Sequence, residues 1–440
     1  MPNPASNAPT TAGSLSNQRP AAARSPVLSD YLLLGSLALA LLIVDDPYVP
    51  DLQYVPSMRH LPLMLALLSI LLASVGDWLR PARARLTSRG WPVVKLAFPL
   101  VVLALWILFG STYAHVSEGI KNTFLNTGTY MMLTLLAARF IVLSDARDRV
   151  LVLAARTLAV SAAYMIVRML AEQLWTGGRY HELEFMVVPV AVYFALSPAF
   201  SGTWKRLLVL FFLAGGVVFC KNTGFIVMGI TLVYLWWADW RFQLRKPRLL
   251  YRVIFGGTVA ATIVLCATVM FGQTIARHLI LPDGNPGYRV RAYDKAIARF
   301  EASPVWGDLF AASSTSRFVA YDIDQGGANG ELPTHSDVLD FAANGGLIGL
   351  GLLTWAYVRV GRLSLRTVLS ARGIGARRSD AEAAAHMFAC MSVAGIAVYA
   401  FNPIMLQPDK ALLLWMNLGL LLGLGLHRAA RQRLNLEPSR

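Results

Sequence analysis

The chain has 440 residues, of which 56% are hydrophobic and only 15% charged, against roughly 25% charged in a soluble domain. That composition excludes an ordinary soluble globular protein, and three cysteines exclude a disulfide scaffold. The formal net charge of +15 does not signal nucleic acid, because the Lys and Arg sit in short loops between apolar runs, as the positive-inside rule requires of an inner-membrane protein.

Residues 1–26, rich in Ala, Pro, Ser and Asn, read as a disordered cytoplasmic tail. They lack the layout of a cleavable signal peptide, and Arg19 and Arg24 flank the first apolar run, so that run reads as a retained span. The sequence predicts an all-α polytopic membrane protein with about twelve transmembrane helices. They lie near 28–44, 61–79, 93–113, 124–143, 150–173, 185–200, 205–220, 224–240, 252–272, 342–360, 384–402 and 410–427, each apolar run near the length that crosses a bilayer. Spans one to nine thus occupy 27–272 and spans ten to twelve 342–427, and 428–440 reads as a basic cytoplasmic tail. Cys220, Cys266 and Cys390 fall inside apolar runs, where they read as small packing residues.

Charge alternates between loops. Arg80, Arg83, Arg85 and Arg89 fill the second loop, Arg147 and Arg149 the fourth, and Lys205 and Arg206 the sixth. Arg241, Arg245, Lys246, Arg248 and Arg252 fill the eighth, and Arg362, Arg366, Arg372, Arg377 and Arg378 the tenth. All fall on one side, assigned to the cytoplasm, and an even number of spans puts both termini there.

The ninth loop, about 273–341, is the long polar excursion on the opposite, periplasmic side. Loops of that length inside compact folds are usually functional or disordered. Trp306, Phe310, Phe318 and Tyr321 give this one apolar surface to bury, so it reads as an ordered cap. From Tyr288 to Phe300 the pattern is helical, with Val290, Tyr293, Ile297 and Phe300 on one face. Arg291, Lys295 and Arg299 fall on the opposite, solvated face. Arg289 falls at the edge of the apolar face, and an inward guanidinium needs an anion, either a nearby Asp or a substrate phosphate.

The loop ends in Thr334-His335-Ser336-Asp337 ahead of an apolar run. This Thr-x-x-Asp spacing is close to a capping box. With Thr334 as N-cap, His335 lies in the first helical turn, where the helix dipole favours a neutral imidazole able to accept a proton. The plainer reading is a histidine that only hydrogen-bonds at the interface. Asp322-Ile323-Asp324 resembles a metal-binding Asp-x-Asp, but no His or Cys cluster supports a metal site and none is assigned. Gly345 and Gly349 read as a close helix-packing pair. On the same side, Gly178-Arg179 joins spans five and six and Lys221-Asn222 joins spans seven and eight. Their cations either snorkel at helix ends or converge as a pyrophosphate clamp.

Arg289, the aromatic Tyr293 four residues on, Pro304-x-x-Gly307, and His335 with ten residues between it and Gly346 of the Gly346-Leu347-Ile348-Gly349 helix together resemble the O-antigen ligase and polysaccharide polymerase superfamily. The resemblance covers about 285–355 and is topological elsewhere, apart from Gly178-Arg179, which is similar to a Gly-Arg pair before a mid-protein span. Ser336 stands where Asn is frequent, Tyr293 where Trp is usual, and Leu309 where a second Gly often follows Gly307. The resemblance implies periplasmic glycosyl transfer without metal or cofactor. The donor is a glycan on undecaprenyl diphosphate, and the acceptor is a glycan or lipid A-core hydroxyl. His335 and Arg289 would be catalytic, and Arg179, Arg291 and Lys221 would bind substrate. The competing class is a lipid-glycan transporter or flippase. Such proteins carry acids or broken helices near mid-membrane, and the sequence shows no Asp or Glu well inside a confident span.

Overall fold

The computed structural model describes residues 27–42, 61–78, 98–113, 129–144, 146–176, 183–218, 222–242, 285–310, 321–325, 328–332, 336–369, 379–399 and 408–436. The expected tail 1–26, the expected span 252–272, Cys220 and Cys266 lie outside them.

The architecture is a helical bundle. Its elements are α1 (Leu28–Leu42), α2 (Leu61–Trp78), α3 (Phe98–Tyr113), α4 (Thr129–Leu143), α5 (Arg147–Thr176), α6 (Glu184–Val187), α7 (Val190–Leu196), α8 (Gly202–Val218) and α9 (Asn222–Phe242). After these come α10 (Asn285–Ala302), a hairpin of β1 (Tyr321–Gln325) and β2 (Ala328–Leu332), α11 (Asp337–Leu369), α12 (Asp380–Tyr399) and α13 (Pro408–Leu436). A helix or helix pair therefore stands at every expected span that falls within the described residues. Among the described residues, four stretches are long and apolar enough to cross a membrane: Arg147–Ala171, Asp337–Val360, Asp380–Val398 and Lys410–His427. Shorter apolar helices accompany them. α13 does not give way to a tail at 428 but stays helical through Arg428, Arg431 and Arg433 to Leu436.

Small residues set the closest contacts. Gly419 and Gly423 of α13 face α4, where an added Cβ would lie 2.5 Å from the Thr134 and Ala138 carbonyl oxygens. Thr134 Oγ1 donates to the Trp415 carbonyl across the same interface (2.9 Å). Such close backbone approach, reinforced by a side-chain hydrogen bond, is how helices associate where lipid removes the hydrophobic drive. Large apolar side chains point away from the bundle along α5 and α8, among them Val160, Tyr164, Val167, Leu174, Trp204 and Leu210. Surface of that kind suits hydrocarbon and would be a liability in water.

Polar ties fix one end of the bundle. Arg156 of α5 pairs with Asp380 at the start of α12 (3.2 Å) and donates to the Tyr193 hydroxyl of α7 (3.1 Å). Ser197, at the end of α7, donates to the other Asp380 oxygen. The ends of α6, α9, α11 and α13 away from this knot carry the candidate site.

Candidate functional site

α11 is two arms rather than one rod. Gly346 takes φ 59° and ψ −162° inside it. The Phe341 carbonyl lies 3.7 Å from where a Cβ on Gly349 would stand, whereas eight residues of straight helix would separate them by ~12 Å. The chain folds back on itself at this point. The expected span 342–360 therefore starts before the break, and its continuous helix begins at Leu347.

A break exposes carbonyls from one arm and N–H groups from the other, and burying them unpaired is costly. The segment after α10 pairs them. Asp308 N–H and Phe310 N–H donate to the Ala343 and Asn344 carbonyls (3.2 and 3.0 Å). Leu347 N–H and Ile348 N–H donate to the Pro304 and Val305 carbonyls (2.8 and 3.3 Å). Two left-handed glycines allow the approach. A methyl group on Gly346 would stand 2.3 Å from the Val305 oxygen, and one on Gly307 (φ 63°) 2.5 Å from the Asn344 carbonyl carbon. Thus Pro304–Gly307 and Gly346–Gly349, 39 residues apart at their glycines, are the two halves of one joint. The Phe310 ring fills the elbow against Gly345 and Gly349 and meets Phe341 edge-on at 5.8 Å. Gly345 accordingly accommodates the Phe310 ring across the break, and Gly349 accommodates both that ring and Trp106 of the neighbouring helix α3. Leu309 and Phe310 also hold positive φ (52° and 55°). The left-handed backbone thus persists at the position where the resemblance has a second glycine.

α10 confirms the expected helix but turns differently. Its fully buried stripe is Ala292 and Ala296, while Ile297 is exposed and Tyr293 and Phe300 are half-buried. The stripe is displaced by about one residue position, because small alanines let α10 lie close on α11 where Val and Ile would hold it off. Arg289 remains on that face by position, three and seven residues before the alanines. Its side chain lies outside the described residues. Arg291 is half-buried and Lys295 exposed. Arg299 does not belong to a solvated face, because it pairs with Asp308 at 2.8 Å. Burial nonetheless pushes the Asp308 carboxyl above its ordinary value, and Arg299 only partly offsets this. The short distance and the raised pKa point in opposite directions. We give burial the greater weight, because both partners are about one-third exposed and solvent weakens the pair.

The helix start also differs from expectation. Ser336, not Thr334, caps α11: Leu339 N–H donates to Ser336 Oγ (3.4 Å) and Asp340 N–H to the Ser336 carbonyl (3.0 Å). In sequence, His335 precedes this cap by one residue. His335 itself lies outside the described residues. Behind the cap, Asp337, Asp340 and Asn344 are buried, and Asn344 Nδ2 donates to the Asp340 carbonyl (2.7 Å). Two acids in the first turn complement the helix dipole.

The beginnings of α6 and α9 meet. Glu184, completely buried at the start of α6, accepts a hydrogen bond from Thr223 at the start of α9. Lys410, in the first turn of α13, is only 3% exposed. Arg179 and Lys221 lie outside the described residues. The chain that follows each is described, however: Arg179 comes five residues before Glu184 and Lys221 two before Thr223. His335 in turn comes two before Asp337. The expected cations thus adjoin a set of buried carboxylates that sequence reasoning missed. Glu184 was legible as the one acid opening the 184–196 apolar run, and Lys410 as the one cation opening 410–427. Asp322 and Asp324 fall in β1, opposite Glu331 and Asn329 of β2.

No protein-family model matches the chain, and no characterised protein matches it.

Proposed function

We propose that the chain is a membrane glycosyltransferase working at the non-cytoplasmic face of a bacterial inner membrane, with about twelve spans and both termini in the cytoplasm. It moves a glycan from undecaprenyl diphosphate to an acceptor hydroxyl. The observation that carries this reading is the concentration of buried charge at one end of an apolar bundle. Glu184, Asp337, Asp340 and Lys410 are all at most 3% exposed, beside the segments that bear Arg179, Lys221, Arg289 and His335. Ionisable groups inside a membrane bundle are costly and mark functional paths.

The chemistry asks for such a cluster. The acceptor oxygen forms the new bond to the anomeric carbon as the bond from that carbon to the phosphate oxygen breaks. The electron pair leaves with the lipid diphosphate, and the acceptor proton goes to a base, assigned to His335. Arg289, with Arg179, Arg291 and Lys221, takes the charge that develops on the leaving diphosphate, a role suited to permanently cationic, multidentate guanidinium groups. Metal and cofactor have no part in this scheme.

A deletion strain scored by glycan gel separates the two outcomes of the same chemistry. Lipid-linked polymer accumulating with none on lipid A marks a ligase. Single repeats on the acceptor, or loss of secreted polysaccharide, mark a polymerase. An unchanged glycan profile would remove the proposal.

A second reading, a lipid-glycan transporter or flippase, gains from two features that the sequence did not reveal. α11 is discontinuous, and polar pairs lie between helices: Glu184 with Thr223, and the Tyr234 hydroxyl with His386 Nδ1 (2.9 Å). Broken helices and intramembrane acids are the marks of carriers. Transport by the purified chain in sealed vesicles, with glycan linkages unchanged, would establish this reading instead.

A further inference from the structure

The segment that closes the α11 break ends in an exposed apolar tip. Pro304, Val305 and Trp306 are consecutive and exposed, Val305 by 44% and Trp306 by 51%. Gly307 and Phe310 behind them are buried, and Asp308 is paired with Arg299 at 2.8 Å. Water is a poor solvent for such a tip. Its neighbours show where it lies. Trp306 packs on Trp106 of α3 with ring centroids 5.7 Å apart, and Trp106 stacks on Phe109 at 5.8 Å. The Leu309 carbonyl comes so close to Gly110 of α3 that a Cβ there would collide with its oxygen. Trp106 and Gly110 stand seven and three residues before the end of α3 at Tyr113, about 10 and 5 Å along the helix axis. No charged residue occurs from Phe98 to Tyr113. The segment therefore reaches down the side of an apolar helix and does not rest on its end. Beside it, Leu105 and Phe109 of α3 and Leu347 of α11 are all more than half exposed. The tip thus continues an apolar surface that two helices of the bundle share.

We propose that Pro304, Val305 and Trp306 dip into the hydrocarbon edge of the bilayer and contact phospholipid acyl chains, so that the long loop is anchored in the membrane as well as laid over it. This rests on the membrane reading of the bundle and is independent of glycosyl transfer. Non-helical backbone is tolerated at membrane depth only where the protein pairs its polar groups. The joint provides that pairing. Gly307 N–H donates to the Ser303 carbonyl (2.8 Å), Asp308 and Phe310 N–H donate to the short arm of α11, and the Pro304 and Val305 carbonyls accept from Leu347 and Ile348. Pro304 brings no N–H of its own. Tryptophan, an apolar body with one polar handle, is enriched where hydrocarbon meets water. Acyl chains are the occupant because the tip joins helix surface that lipid already has to cover. Charge returns at Glu301, exposed at the end of α10, which puts the waterline between Glu301 and Val305.

The test is spin labelling of the full-length chain in phospholipid nanodiscs, with the native cysteines replaced by alanine. Labels are attached one at a time to Val305→Cys, Trp306→Cys, Lys295→Cys and Val160→Cys. Lys295, exposed on α10, is the aqueous reference, and Val160, 72% exposed on α5, is the lipid reference. Collision with oxygen, which concentrates in hydrocarbon, is compared with collision with a water-soluble nickel chelate. The oxygen-to-nickel ratio at positions 305 and 306 is expected to lie severalfold above that at 295 and close to that at 160. Two labelled positions keep the test valid if one variant does not fold. A ratio at both positions equal to that at 295 would mean a water-facing tip and overturn the proposal. Immobile labels shielded from both agents would mean that a second copy of the chain covers the tip, and would overturn it too. A nickel-accessible label at 160 would overturn the membrane reading and the proposal together.

Discussion

At the scale of single residues, the joint between Pro304–Gly307 and Gly346 makes the sharpest demand on sequence. A methyl group at either glycine meets backbone, which cannot swing aside as a side chain would, and both positions hold left-handed φ. The left-handed conformation alone costs an L-residue about 1–2 kcal/mol. Gly346→Ala and Gly307→Ala should therefore each destabilise by more than about 2 kcal/mol in a detergent unfolding titration. Gly351→Ala is the control: it has open space around its Cβ and lies in the continuous arm, so it should be neutral or stabilising by up to about 1 kcal/mol. A Gly346→Ala variant as stable as Gly351→Ala would mean that the break is absent. Asp308 offers a second test, in pH. Burial raises its carboxyl pKa in the folded state. The folded state therefore holds that proton more tightly than the unfolded chain, and the stability linked to it is complete below the ordinary value of 3.8. It is lost as pH rises through the raised value. Asp308→Asn should flatten the unfolding profile over that interval and leave the protein no less stable at neutral pH. A loss of stability at neutral pH would mean that the Arg299 pair outweighs burial.

At the scale of elements, helices were legible because each apolar run carries its own length and needs no partner to satisfy its backbone. The break in α11 was not. Gly345 and Gly349 inside an apolar run read as helix packing, and only the backbone of residues 304–310, far away in sequence, supplies the hydrogen bonds that let the helix stop and turn. The α10 face was misjudged for a related reason. Val290 and Ile297 outweigh Ala292 and Ala296 in hydropathy, yet close approach to α11 favours the smaller residues. The site was half legible. Its cations stand out in loops, whereas Glu184, Asp337, Asp340 and Lys410 open apolar helices and look like helix-end charges until their burial is seen. Interhelical polar pairs separate the two functional readings at this scale. Tyr234→Phe removes the α9–α12 bond to His386. For a packing tie the expected cost is about 0.6–1 kcal/mol, with glycan transfer retained. Loss of function without loss of stability would favour an ion-coupled carrier.

For the whole molecule, the proposed chemistry lies at one end of an apolar bundle and a structural knot at the other. Arg156, Asp380, Ser197 and Tyr193 tie α5, α7 and α12 at the knot end. At the other end, α10 and the 303–310 segment close the break in α11. The most direct test is glycan transfer from undecaprenyl-diphosphate-linked donor by membranes carrying equal amounts of wild type, His335→Ala and Arg289→Ala. The account predicts transfer by wild type and none by either variant, with insertion and protein level unchanged. Full transfer by His335→Ala would contradict it.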